Sequence, residues 1–352
     1  MTTQSDLTVP ILGPARFENP LGAKGRSFTN PALRVRYQAR VGSDELEGEE
    51  LLLEKAGPQA RIFFEPATTT AAFVTCGGLA PGLNNTIRSG FYELRHNYGV
   101  QRILGIREGY RGLDPHAGLE PIVLTPESVD DITDMGGTVN GTSRGGRDAL
   151  DMVDYLEAHD IDILFAIGGD GTQRGAHAVA TEALRRGSGR SIVGIPKTID
   201  NDVPFVYMSF GYATALEGAA QVLRQAHVEA RSHHNGVGLV KLMGRDAGFI
   251  AAGAAVAAQE ANFVLVPEVR FPLDGPGGFL EALEQRLLSR HHAVVVVAEG
   301  AGQHLFEAGH ASTDASGNRR YRDIGIFLRD RIREHLQERE IGNTVKYFDP
   351  SY

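Results

Sequence analysis

The chain has 352 residues, 42% hydrophobic and 22% charged, with a formal net charge of −9. Its length predicts two domains of ordinary size, and its acidity argues against a general nucleic-acid or anionic-membrane binder, though not against a local basic pocket. A single cysteine, Cys76, excludes an internal disulfide framework and a cysteine-rich zinc site.

The N-terminal MTTQSDLTVPILGPARFENP lacks an apolar stretch behind a basic start and does not read as a secretory signal. No apolar run approaches the roughly 20 residues of a membrane span. A cytoplasmic protein with no nucleic-acid or membrane partner is expected. Residues 1–70 hold two proline-containing stretches and the acidic run GSDELEGEELLLEK, with little periodicity, and predict an extension wrapped on the main body. From Ala71 onward, short aliphatic runs alternate with amphipathic segments. AAFVTC, QRILGI, IDILFAI, SIVGIP, VGLVKL, NFVLVP and AVVVVAE predict strands buried on both faces of parallel sheets. Helices are predicted over about 82–97, 145–158, 172–187, 210–230, 246–258, 276–290 and 321–339. The alternation predicts an α/β fold of two Rossmann-like, three-layer domains, 71–210 and 211–352, with an active-site cleft between them. The polar stretch GQHLFEAGHASTDASGNRR reads as a surface excursion.

Several predicted strands end in glycine-rich or acidic turns, where open α/β sheets bind ligands. In CGGLAPG the glycines free the backbone ahead of a helix. The turn fits an anion seat and, as well, a tight connection with no ligand. It is neither a Walker A loop nor GxGxxG. In GGDGT, Gly168, Gly169 and Gly171 let the main chain approach phosphate oxygens while Asp170 holds a divalent cation, Mg²⁺ being the natural choice. GIPKTIDNDVP packs Lys197, Thr198, Asp200 and Asp202 at a strand end. Two carboxylates beside a lysine suit proton removal next to a charged phosphate.

In this order CGGLAPGLN, GTSRGG, IGGDGT, PKTIDND, KLMGRDAGF, VPE and AEG resemble the 6-phosphofructokinase family, over roughly residues 60–352. The resemblance implies ATP-dependent phosphorylation of fructose 6-phosphate at its C1 hydroxyl. It implies that Gly78 lies against the nucleotide phosphates, that Arg144 with Gly145 adds a cationic clamp, and that Gly169, Asp170, Gly171 and Thr172 cradle the phosphates, with Mg²⁺ on Asp170. Thr198, Ile199 and Asp200 would meet the sugar phosphate, with Asp200 as general base, Asp202 as a partner of the metal or its water, and Lys197 adding charge near the transferred group. Met243, Gly244 and Arg245 would line the sugar pocket, and Glu299 would bind sugar hydroxyls. A homo-oligomer, dimer or tetramer, is implied too.

Two positions bear on the phosphoryl donor. Pyrophosphate-using members resemble GGDD, with a carboxylate where Gly171 leaves room for the α-phosphate of ATP. Lys197 is shared with pyrophosphate users, and its combination with Gly171 resembles a longer, plant-like ATP-dependent subgroup. Short bacterial members offer an arginine where this chain has Gly236. Tyr352 would begin a YxxR sugar-phosphate motif whose arginine is absent, so a C-terminal segment is expected to be missing. The alternatives are a pyrophosphate-dependent enzyme and a non-catalytic binding or regulatory homologue.

Overall fold

The computed structural model describes residues 7–37, 51–306 and 321–350; Tyr352 and the polar stretch beyond Phe306 lie outside them. The chain forms two compact units. The first comprises residues up to Gly78 together with Gly82–Ile195, and the second Leu79–Pro81 together with Pro196 onward.

In the first unit, β1 (Thr70–Thr75) is followed by α1 (Leu83–Tyr92), β2 (Arg102–Ile106), β3 (Ile122–Val123), α2 (Ala149–Ala158), β4 (Ile163–Gly168), α3 (Asp170–Arg186) and β5 (Ser191–Thr198). The strands lie in the order β5-β4-β1-β2-β3, with β1 parallel to both β2 and β4 and β3 antiparallel at the edge. Alternation along β1 separates two cores. Ala72 and Val74 face Met152, Val153 and Leu156 of α2 and Val179 of α3. Ala71 and Phe73 face Leu83, Ile87 and Phe91 of α1. The unit is therefore a three-layer sandwich. Its first strand sends one connection to β2 on one side, while β4 pairs on the other, so the switch point lies at the carboxyl ends of β1 and β4.

Ahead of β1, Phe17–Glu18 pairs antiparallel with Arg61–Ile62, and Arg34–Arg36 with Leu52–Glu54, giving two short ribbons in the predicted extension.

In the second unit, β6 (Phe210–Gly211) leads into α4 (Tyr212–Arg231), β7 (Gly236–Leu242), α5 (Phe249–Ala258), β8 (Phe263–Leu265), α6 (Phe279–Arg290), β9 (His292–Ala298), α7 (Ile324–Glu338) and β10 (Thr344–Phe348). Its four-stranded sheet is parallel throughout, in the order β8-β9-β7-β10. One core fills it, built from Leu239 and Val240 of β7, the valines of β9 and the inner faces of α4 to α7.

The division falls at Ile195/Pro196 rather than after residue 210, because β5 serves both units. Its residues Ser191–Ile195 belong to the first unit, whereas its last residues, Lys197 and Thr198, pair with Phe210 and Gly211 of the second. Every strand expected from the aliphatic runs is present. Helix α3 begins at Asp170, inside the motif read as a glycine loop, because Gly169 supplies an extended N-cap and an acid suits the first turn. β3, β6 and β10 went unpredicted: β3 and β6 have two residues each, β6 falling inside the helix expected over 210–230, and TVKYF mixes polar and apolar side chains without a continuous aliphatic run. Among the described residues no helix is long and apolar enough to cross a membrane.

Candidate active site

The first unit gathers one set of motif residues at its switch point. Cys76 N–H donates to Ile167 O across β1 and β4 at 3.0 Å, which brings the CGG turn beside the GGDGT turn. The segment carrying GTSRGG is stitched to the same strand end. Thr75 Oγ1 donates to Gly141 O at 2.8 Å, Thr142 Oγ1 donates to Gly77 O at 2.8 Å, and Gly77 N–H donates to Ser143 O at 3.1 Å. This stitching sets the exposed Arg144 guanidinium beside Gly78, where an added Cβ would lie 3.7 Å from Arg144 Nη2. Gly145 follows Arg144 in the left-handed region, φ 93°.

At the start of α3, the Thr172 and Gln173 N–H groups both return to Gly169 O. The Asp170 and Gly171 N–H groups have no acceptor within the helix, and with the helix dipole they make a seat for an anion. Asp170 is half-exposed and ion-pairs with Arg174 one turn on. Among the described residues no cluster of three or more metal-ligating side chains exists. A lone accessible carboxylate at an anion seat nevertheless fits Mg²⁺, which binds through one or two carboxylates plus substrate phosphates and water. Thr172 is buried: its Oγ1 lies over Gly168, and its carbonyl accepts the Tyr110 hydroxyl at 2.7 Å. Its placement joins the two turns. Tyr110 was not foreseen, since an isolated tyrosine in EGYRGL carries no sequence signal. Burial raises its phenol well above the usual tyrosine range.

The second unit gathers the rest. Thr198 ends β5, and its Oγ1 accepts the Asp200 N–H at 3.2 Å. Asp200 is 8% exposed. Its Oδ1 is buried with no hydrogen-bond partner among the described residues. Desolvation, then the charges of Asp202 and Glu299, push its carboxyl up to about 6, against the opposing pull of Arg245. Burial likewise raises Glu299, again opposed by Arg245. Asp200, Asp202, Glu299 and Arg245 thus share one electrostatic environment, in which a buried carboxylate can take a proton near neutral pH. Lys197 is buried, while Ile199 and Met243 are half-buried against the core.

The MGR and AEG turns are locked together. Glu299 N–H donates to Leu242 O at 2.9 Å and Gly300 N–H to Gly244 O at 3.1 Å. Gly244 has φ 127°. The Glu268 carboxylate of VPE accepts the Gly248 N–H at 2.8 Å at the start of α5. Behind Glu299, Lys241 lies 2.9 Å from both Asp323 and Asp349, and the Tyr347 hydroxyl donates to Asp323 at 3.3 Å. Burial works against the Lys241 charge, but its hydrogen bonds to these groups outweigh it and raise the ammonium above its usual range. A lysine inside the aliphatic GLVKL was the only sign of this network in the sequence. Lys241→Met should cost about 1–3 kcal/mol, because both carboxylates lose a charged hydrogen bond yet keep some solvent. A urea midpoint equal to that of the parent would refute this.

Residues 70–348 match the family model for phosphofructokinase. The ATP-dependent 6-phosphofructokinase of Borreliella burgdorferi is 45% identical, over 99% of this chain and 80% of that protein. The chain belongs to the phosphofructokinase family. Arabidopsis thaliana ATP-dependent 6-phosphofructokinase 7 is 44% identical over 92% of this chain and 68% of its own length. The pyrophosphate-dependent phosphofructokinase of Marinobacter aquaeolei, at 24% identity, superposes with a TM-score of 0.62 over 79% of this chain and 68% of that one, a likeness of fold.

Proposed function

We propose that this phosphofructokinase transfers the γ-phosphoryl group of ATP to the C1 hydroxyl of fructose 6-phosphate. The observation that carries the reading is Asp200: a buried carboxyl with an orphaned oxygen and a raised pKa, inside PKTIDND. Relatives named ATP-dependent at about 45% identity support the donor.

Phosphoryl transfer needs positioning and charge stabilisation more than covalent help. The donor phosphates fall to the N–H groups at the start of α3, to Gly78 and to the Arg144–Gly145 clamp. Asp170 would hold Mg²⁺, which when bound neutralises charge on the phosphates. Sugar phosphate binding falls to Thr198, Ile199 and the Met243–Gly244–Arg245 turn, with Glu299 accepting from sugar hydroxyls. Asp200 takes the proton as the hydroxyl oxygen bonds to phosphorus, and Asp202 and Lys197 set the field around it. A coupled assay should register ADP formation that requires ATP, Mg²⁺ and fructose 6-phosphate together; no ADP formation defeats the reading.

Gly171 supports ATP over pyrophosphate. It sits exposed in the first turn of α3, where an added Cβ meets nothing within 4 Å and no positive φ stands in the way. Aspartate therefore fits the protein at no steric cost, so its effect falls on the donor. Gly171→Asp should lower the ATP-dependent rate by ~10²-fold or more through repulsion of the nucleotide phosphates, with a melting temperature no lower than the parent's, because an acid in the first turn of a helix is favoured over glycine. Full ATP activity in that variant would favour pyrophosphate as the natural donor.

A further inference from the structure

The buried Oδ1 of Asp200 has no hydrogen-bond partner among the described residues. No side chain holds that oxygen, so its aim depends on the backbone beneath it, and whatever fixes the Thr198–Asp202 turn helps to fix the base. That turn is not regular structure. Asn201, between the two aspartates, sits in the left-handed region at φ 55°, and Phe205 follows at φ 64°, strained for a bulky residue. The loop beyond exposes Tyr207 (92%) and Met208 (55%), so little packing holds its tip.

Its base is cross-braced by two buried polar side chains. Asn201 Oδ1 accepts the Ser209 N–H at 2.8 Å, and Asn201 Nδ2 donates to Tyr207 O at 3.1 Å. Ser209 Oγ lies 2.6 Å from Thr198 O and 3.1 Å from Asn201 Oδ1. Its single proton goes to the nearer acceptor, Thr198 O. Ser209 is 3% exposed and Asn201 8%. Ser209 also precedes β6, whose residues pair with Lys197 and Thr198. One hydroxyl and one amide thus tie the end of β5, the turn and the start of β6 into a closed ring.

We propose that Ser209 and Asn201 are positioning residues for Asp200, holding its carboxylate where it can accept the substrate proton. The inference rests on the reading of Asp200 as general base. Misplacement of a base by about 1 Å costs on the order of 10²-fold in rate. Ser209→Ala and Asn201→Gly, the latter keeping the left-handed backbone accessible, should each lower kcat ~10–100-fold with the KM for ATP unchanged. Ser209→Thr, which keeps the hydroxyl, should restore most of the loss. In an Asp200→Asn background neither change should lower the residual rate further, because a base that is absent cannot be misplaced.

Parental kcat in both brace variants, with Asp200→Asn inactive, would overturn the brace and leave the base reading intact. So would equal losses in the parental and Asp200→Asn backgrounds, the signature of a merely structural role. Full activity of Asp200→Asn would instead overturn the base reading. Should Ser209→Ala fail to fold, the Asn201→Gly and Ser209→Thr pair carries the same comparison.

Discussion

Asp200→Asn is expected to lower kcat by ~10²–10⁴-fold, the usual contribution of a general base, and at the same time to raise the melting temperature. The two effects share one cause. Burial has lifted this carboxyl from 3.8 to about 6, so between those pH values the folded chain binds a proton that the unfolded chain has released. Stability therefore falls as pH rises through that window, and above it the charged group costs about 3 kcal/mol. Asparagine keeps the shape and removes the charge, relieving that cost together with the chemistry. A melting temperature that drops, or a kcat within a few-fold of the parent, would contradict the assignment.

The same shift fixes the pH dependence. A base must be unprotonated to act, so kcat/KM should decline below about pH 6 rather than near 4. Phosphate esters also titrate near pH 6. Asp202→Asn separates the two, because removing the like charge that raises Asp200 should move an Asp200 limb to lower pH, whereas the titration of the free phosphate ester stays where it is. An unmoved limb would assign it to the substrate.

Gly300→Ala is the second large expected effect. A Cβ at Gly300 would lie 1.6 Å from Arg245 O and 2.6 Å from Arg245 C. The clash is with main chain, so no rotamer relieves it. The MGR turn must move and the Gly300–Gly244 hydrogen bond must break. Overpacking of this kind costs about 1–3 kcal/mol or more. It would also carry Arg245 away from Glu299 and Asp200, both of which feel its charge. The KM for fructose 6-phosphate should rise by ~10²-fold, as a displaced positioning group implies. Sugar-phosphate titration and urea unfolding read the two parts separately, and parental values in both would show that the turns are not coupled.

How much of this was legible in residues alone varies along the chain. AAFVTC, VGLVKL and AVVVVAE announce buried parallel strands because a strand covered on both faces needs aliphatic side chains at every position. The glycines and acids at their ends announce the turns proposed to bind phosphate, since a backbone that must approach a phosphate tolerates little else. Those constraints are local, and the sequence expresses them directly. The start of α3 at Asp170 was less legible, because GGDGT reads equally well as a loop until the Gly169 cap is seen.

Other features arise only when distant segments meet. Nothing in EGYRGL shows that Tyr110 hydrogen-bonds Thr172, and nothing in MSFGY shows that Ser209 closes the TIDND turn. Lys241 acquires its two carboxylates from residues 82 and 108 positions away. The charge state of Asp200 belongs to this group as well. An aspartate in a polar stretch is ordinarily ionised at pH 6, and only burial beside Asp202 and Glu299 makes it otherwise. By itself the sequence determined the aliphatic strands and the glycine-rich turns at their ends, because periodicity and glycine placement are properties of neighbouring residues. The tertiary structure decided which carboxylate is starved of solvent and which side chains hold it, because desolvation and hydrogen-bond partners depend on the atoms that folding brings close.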